Sequence, residues 1–165
     1  MQYLQNVFHN GMILTLLVLF PNIIWMAFPP RDLPGRVETK PNRLQKVMAI
    51  LEGSGRISVF TIPFFYQLNL TRPADWLAFL VGVAALFLYY LGWFRYYRNG
   101  RKYRFLFEPL FRIPIPMAVS PVLCFLAGAA LLRSWPLLAG TLALGIGHLY
   151  LSCLEYQKLR INNEA

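Results

Sequence analysis

KVMAILEGSGRISVFTIPFFY, residues Lys46 to Tyr66, is apolar enough to enter a membrane, yet it carries Glu52 and Arg56 one helical turn apart with Gly53 and Gly55 between them. A spanning helix needs about 20 residues to cross roughly 30 Å of hydrocarbon. The uncharged run Ile57 to Leu70 supplies about 14 residues, or about 21 Å at 1.5 Å per residue. Arg72-Pro73 closes the far end, so a span must take in Arg56 and Glu52 from its N-terminal side. A lone charge at a helix centre costs about 2.5–3.5 kcal/mol. At i and i+4 the two charges share a face and can neutralise each other. The glycines predict a loosened backbone with free carbonyls, as in discontinuous transmembrane helices. A second reading stays open: Leu44, Val47, Met48 and Leu51 recur at helical spacing, which also fits an amphipathic helix on the membrane surface followed by a bend and a short span.

Working outward, the rest of the chain supports a membrane setting. Of its 165 residues 57% are hydrophobic, and the mean hydropathy is +0.45. The apolar residues fall in long blocks, which excludes an ordinary soluble domain. The formal charge of +9 sits in the connections between blocks, where topology signals lie. That placement argues against nucleic acid and for membrane lipid as the anionic partner. Cys124 and Cys153 both lie in apolar segments at different depths, and the expectation is two buried, unpaired thiols. Neither a signal-peptide pattern nor a lipidation motif is found.

The blocks predict an all-α integral membrane protein, one membrane-embedded domain over 1–165, with five spans at about 4–28, 47–70, 76–95, 114–132 and 135–156. Pro21 should kink the first span, leaving Asn22 either to bond carbonyls the proline frees or to serve a site. Trp25 and Phe28 read as interfacial anchors, as do Tyr89, Tyr90, Trp93, Tyr96 and Tyr97 at the end of the third span. Asp75 can cap that span at its start. Spans four and five are joined by little more than Arg133-Ser134 and should form a tight hairpin, with Ala127, Gly128 and Ala129 facing Ala139, Ala143 and Gly147.

Basic residues alternate between rich and poor connections: five precede span two, one lies in the second link, six in the third connection, one in the fourth link and two in the tail. The positive-inside rule then puts the N-terminus outside and the C-terminus in the cytoplasm, in a plasma membrane of bacterial type. The third connection, RYYRNGRKYRFLFEPLFR, interleaves Arg95, Arg98, Arg101, Lys102, Arg104 and Arg112 with aromatic residues. These six cations are candidate headgroup contacts.

In span five Thr141, Gly145, His148, Ser152 and Glu155 recur at 4-3-4-3 spacing and form one polar stripe. In lipid such a stripe must face protein or a water-filled space. With Asn22, Glu52 and Arg56 it predicts a polar cavity open to the cytoplasm and lined by spans one, two and five. A histidine beside a carboxylate can act as general base, proton relay or metal ligand. A paired arginine holds carboxylate or phosphate. The kit suits an anionic small molecule or a lipid headgroup. No HExxH, Cys/His cluster, GxSxG or phosphate loop is present, so no metal is expected and no cofactor is named. Two further readings remain: a small assembly subunit, as a homo-oligomer or with a membrane partner, whose polar groups are interhelical glue, and a proton-coupled transporter.

One family resemblance adds a fourth. Arg112-Ile113-Pro114, two apolar helices with Ser134-Trp135 at their tip, and Glu155 at the far end resemble the C-terminal half of membrane isoprenylcysteine and phospholipid methyltransferases. That family has Arg-His-Pro before its hairpin and a Glu-Glu pair after it. Here Ile113 stands in place of the histidine and Tyr156 in place of the second glutamate. The resemblance covers about a third of the chain and implies binding of S-adenosylmethionine by a membrane methyltransferase.

Overall fold

The computed structural model of the chain describes residues 10–33, 40–111 and 113–164, with the backbone alone for 162–164. Five α-helices and no strands occur among them: α1 Met12–Ala27, α2 Arg43–Thr61, α3 Pro73–Arg98, α4 Pro116–Leu131 and α5 Trp135–Glu164. Three stretches are long and apolar enough to cross a membrane, Arg43–Phe65, Pro73–Arg98 and Trp135–Ile161. The apolar helices α1 and α4 have 16 residues each, or about 24 Å at 1.5 Å per residue. Ile50, Ile57, Leu77, Phe87 and Ile146 are exposed on the outer faces of the long helices, an apolar exterior suited to lipid rather than water.

Local chemistry fixes the helix ends, and several differ from expectation. α2 begins in a reciprocal cap: the Asn42 side chain accepts from the Gln45 N–H at 2.8 Å, and the Gln45 side chain accepts from the Asn42 N–H at 2.9 Å. It then runs unbroken through Gly53 and Gly55, so neither the discontinuous helix nor the bend occurs. It stops at Thr61 rather than near Leu70, because Pro63 brings no N–H and the chain tightens into a 3₁₀ turn over Ile62–Phe65. α1 begins at Met12, since Gly11 donates its N–H to Tyr66 O at 2.9 Å instead of entering a helix. The part of the expected first span before residue 10 lies outside the described residues. α3 starts at Pro73, with Asp75 in its first turn accepting from the N–H groups of Thr71 (3.0 Å) and Arg72 (2.8 Å). α5 runs well past Tyr156, to Glu164.

Glycine sets the closest helix contacts. Cβ atoms on Gly55, Gly140 and Gly147 would collide with the Leu144 backbone, with Ser58 and with the Met48–Glu52 backbone respectively. These three contacts define an antiparallel α2–α5 seam, the most extensive helix–helix contact among the described residues. The expected small-residue match between α4 and α5 does not form: Gly128 meets Leu14 of α1, and Gly147 meets α2. α4 instead lies antiparallel against α3, Gly92 meeting Met117 and Gly82 meeting Ala127, and touches α5 where Gly145 meets Val122 at 3.1 Å. Leu132–Ser134 joins α4 to α5, with Arg133 at φ 50 and the Ser134 N–H donating to Ala129 O at 3.0 Å. Cys124 is buried and Cys153 exposed, both as free thiols; the second departs from the expected burial because it points off the outer face of α5.

The aromatic run of α3 is core rather than an interfacial belt. Tyr89, Trp93 and Tyr96 are all buried, on an i, i+4, i+7 face turned inward. Its hydroxyls bind α1. Pro21 removes the N–H that would bond Leu17 O, and the Tyr90 hydroxyl donates to that carbonyl at 2.9 Å. Asn22, read from sequence either as a partner for such a carbonyl or as a site residue, donates to Val18 O and to the Tyr89 hydroxyl, both at 2.8 Å. Tyr96 donates to Phe28 O at 3.2 Å.

These contacts give the bundle two ends. One holds Asn10, Pro63, Asn69 and Arg133, joined by hydrogen bonds such as Asn69 N–H to Leu131 O at 3.0 Å. The other gathers Arg31, Arg43, Lys46, Arg95, Arg98, Arg101, Lys102, Arg104, Lys158 and Arg160, and is the basic end.

Candidate functional site

A cavity of about 280 Å³ occupies the half of the bundle toward the basic end. All five helices line it, not three: Asn22 and Trp25 from α1, Arg56 and Phe60 from α2, Tyr89 and Trp93 from α3, Met117 and Phe125 from α4, His148 and Ser152 from α5. Leu106 and Phe107 of the third connection lie across it.

Its polar wall rests on the α2–α5 seam. Gly147 admits the Met48–Glu52 backbone against α5, which brings the Glu52 carboxylate to the adjacent His148. The His148 Nδ1–H donates to Glu52 Oε1 at 2.8 Å; a carboxylate only accepts, so this contact fixes the proton on Nδ1. Arg56 donates to the same oxygen from one terminal nitrogen at 2.6 Å and from Nε at 3.2 Å. The Glu52 and His148 side chains are 15% and 22% exposed, that of Arg56 53%. Arg56 sits on the open side of the cavity. There α1, tied to the far part of α2 by the Thr15 hydroxyl donating to Val59 O at 3.2 Å, continues along α3.

The polar groups here offer both donors and acceptors. One Arg56 terminal nitrogen is uncommitted to Glu52. The Trp25 and Trp93 indole N–H groups are buried without an aligned acceptor among the described residues, although the Tyr96 and Tyr89 hydroxyls lie beside them. Ser152 is buried in the wall. His148 Nε2 and the Asn22 amide oxygen are acceptors.

Of the residues expected in a site, Asn22, Arg56, His148 and Ser152 meet at the cavity, with Glu52 directly behind them. Glu155 stands apart. It accepts from the Tyr103 hydroxyl at 3.3 Å and from Lys158 Nζ at 3.4 Å, so it holds the third connection. Burial, with the Glu155 charge beside it, pushes the Tyr103 hydroxyl up to about 12. Arg95 is also engaged inside that connection, donating to Phe105 O (3.1 Å), Glu108 O (2.7 Å) and Pro109 O (2.8 Å). Arg101 lies over the Phe28 ring, and Arg104 over the Phe105 ring with Glu108 at 3.4 Å. Arg98 and Lys102 are exposed, and Arg112 lies outside the described residues.

Trp25, Tyr89, Trp93 and Phe125 were not singled out from sequence as cavity residues. The 4-3 spacing of Tyr89, Trp93 and Tyr96 was the available signal. Among the described residues no three His, Cys, Asp or Glu side chains converge to hold a metal. Compared with known proteins, the chain matches no family model, no curated protein and no solved structure.

Proposed function

We propose that this is a five-span integral membrane protein with its N-terminus outside and its basic end in the cytoplasm, and that its cavity binds an anionic small molecule or lipid headgroup. The observation that carries this reading is the composition of the wall: an arginine, a histidine, two buried indole N–H groups and the neutral polar groups of Asn22, Tyr89 and Ser152 around a space otherwise apolar. Convergent donors in an apolar cavity suit a carboxylate or phosphate on an apolar body. The exposed cations Arg43, Lys46, Arg98, Lys102 and Lys158 would rest on anionic headgroups of the cytoplasmic leaflet, at about 1 kcal/mol each.

The test is thermal unfolding of the purified protein with benzoate, inorganic phosphate or lysophosphatidate added separately. Stabilisation by at least one of them, lost in Arg56→Ala and His148→Ala, is expected. Stabilisation by lysophosphatidate alone would assign the site to a headgroup; benzoate or phosphate would assign it to a small anion. No shift with any of the three would refute the reading. The assembly-subunit reading draws on the exposed α1 face of Phe20, Ile23 and Met26; a partner co-purifying in fixed ratio and burying that face would favour it.

A further inference from the structure

The charges around the cavity constrain what can enter it. Glu52 contributes one negative charge and Arg56 one positive charge, joined at 2.6 Å. The other polar groups facing His148 are neutral: Asn22 from α1, Tyr89 from α3 and Ser152 from its own helix. α4 offers Met117, Pro121 and Phe125, and the third connection Leu106 and Phe107, none of them ionisable. With a neutral His148 the empty site therefore has no net charge. An anion entering alone would leave an uncompensated negative charge among apolar walls, which is costly even after relaxation. His148 offers the remedy. Its Nδ1–H is spent on Glu52 at 2.8 Å, so Nε2 can take a proton, and the resulting imidazolium would lie between the Glu52 carboxylate and the ligand.

Resting on the binding role proposed above, we infer that the cavity takes up a weak carboxylic acid as its anion together with one proton, the anion pairing with Arg56 and the proton residing on His148 Nε2. When the acid arrives protonated from the lipid, its O–H bond breaks and an N–H bond forms at Nε2. The bonding pair stays on the carboxylate oxygen. When it arrives ionised, the proton comes from the aqueous phase. The site is neutral before and after. The cavity of about 280 Å³ has room for several water-sized groups, enough for an aromatic or medium-chain monocarboxylate. The aromatic walls favour the former.

Calorimetry with sodium benzoate on the full chain in nanodiscs of neutral lipid tests this. Titrations near neutral pH in two buffers of different ionisation enthalpy give the protons absorbed per benzoate bound. The expected value is about one, with affinity falling about tenfold per pH unit on the alkaline side. In Glu52→Gln the Arg56 charge is left for benzoate to neutralise by itself, so proton uptake should vanish and affinity become independent of pH. In His148→Gln uptake should also vanish, with weaker binding throughout. Benzoate bound by the wild type without proton uptake, or by Glu52→Gln with undiminished uptake, overturns the inference and leaves the binding role standing. Failure of benzoate, phosphate and lysophosphatidate alike to bind overturns both.

Discussion

Gly53 and Gly55 are two residues apart on α2, and alanine at the two positions should move stability in opposite directions. A Cβ on Gly53 meets nothing within 4 Å. Gly53→Ala therefore changes backbone entropy and helix propensity alone, a gain of about 0.8 kcal/mol. A Cβ on Gly55 would run into the N, Cα and Cβ atoms of Leu144. Two of these are backbone atoms of a continuous helix, so no rotamer change relieves the clash. Overpacking of this kind costs about 3 kcal/mol at the upper end of the usual range. Less the same propensity gain, Gly55→Ala should lose about 2 kcal/mol. For a chain of this size that is a fall in Tm of about 4–8 °C, against a rise of about 2–3 °C for Gly53→Ala. Tryptophan fluorescence during thermal unfolding in one detergent reads both. Equal effects at the two positions, or a Gly55→Ala protein as stable as the wild type, would refute the α2–α5 seam as the closest contact of the bundle.

Other expectations follow from single contacts. Tyr90→Phe removes the donor to Leu17 O, at 2.9 Å, from the carbonyl that Pro21 frees, and should cost about 1 kcal/mol in thermal unfolding; Pro21→Ala, which restores the helical N–H, should make the Tyr90 change nearly silent. Arg95→Gln gives up most of the grip on Phe105, Glu108 and Pro109 carbonyls. A loss of about 2 kcal/mol there should raise tryptic cleavage at Arg98 to Arg104 by at least about tenfold, and unchanged cleavage would contradict that anchoring. Tyr103, raised from 10.0 to about 12, favours the folded state while protonated. Its contribution is whole below about pH 10 and is lost as pH rises through about 12. The tyrosinate absorbance difference between wild type and Tyr103→Phe should appear only near the upper value; a difference already complete near pH 10 would show the hydroxyl to be free of burial and of Glu155.

The sequence carries the Glu52–Arg56 pair directly, since i and i+4 on any helix through Lys46–Tyr66 place the two on one face. The stripe from Thr141 to Glu155 is equally legible, and the structure turns Thr141 and Ser152 inward to 0% and 7% exposure. What could not be read is which helix the stripe meets at which height. Small residues recur on α2, α4 and α5, so several pairings of glycine rows are physically equivalent until three dimensions choose one. The expected row against Gly128 and the observed one against Met48 and Glu52 both use Gly147. Tyr89, Trp93 and Tyr96 were ambiguous for another reason: a ring with a polar tip suits a membrane interface and a hydrogen-bonded interior alike. Their partner, the carbonyl left bare by Pro21, is half visible in sequence, because a proline within a helix announces an unsatisfied acceptor without saying who satisfies it. Glu155 misled because it continues the stripe by one more turn, beyond the point where the bundle gives way to the third connection.

The position of the polar cluster follows from the same glycines that close the seam. A hydrogen bond between side chains of facing helices needs the helix axes near enough for a glutamate and a histidine to meet, and large residues between them would hold the helices apart. Gly147 removes that obstacle beside His148, and Gly55 removes it one turn along α2 from Glu52. The Glu52–His148 contact is thus a consequence of close packing, while the cavity lies beside the seam, where aromatic side chains of α1, α3 and α4 cannot follow the glycines inward. Gly147 is on this account a positioning residue. Enlarging it to leucine should separate the carboxylate from Nδ1 before it disturbs α3 and α4, whose own contact runs through Gly92 and Met117. The His148 imidazole should then lose the single tautomer that Glu52 imposes, a change visible in the ¹⁵N chemical shifts of the ring while the near-ultraviolet dichroism of the Tyr89–Trp93–Tyr96 cluster stays as it was.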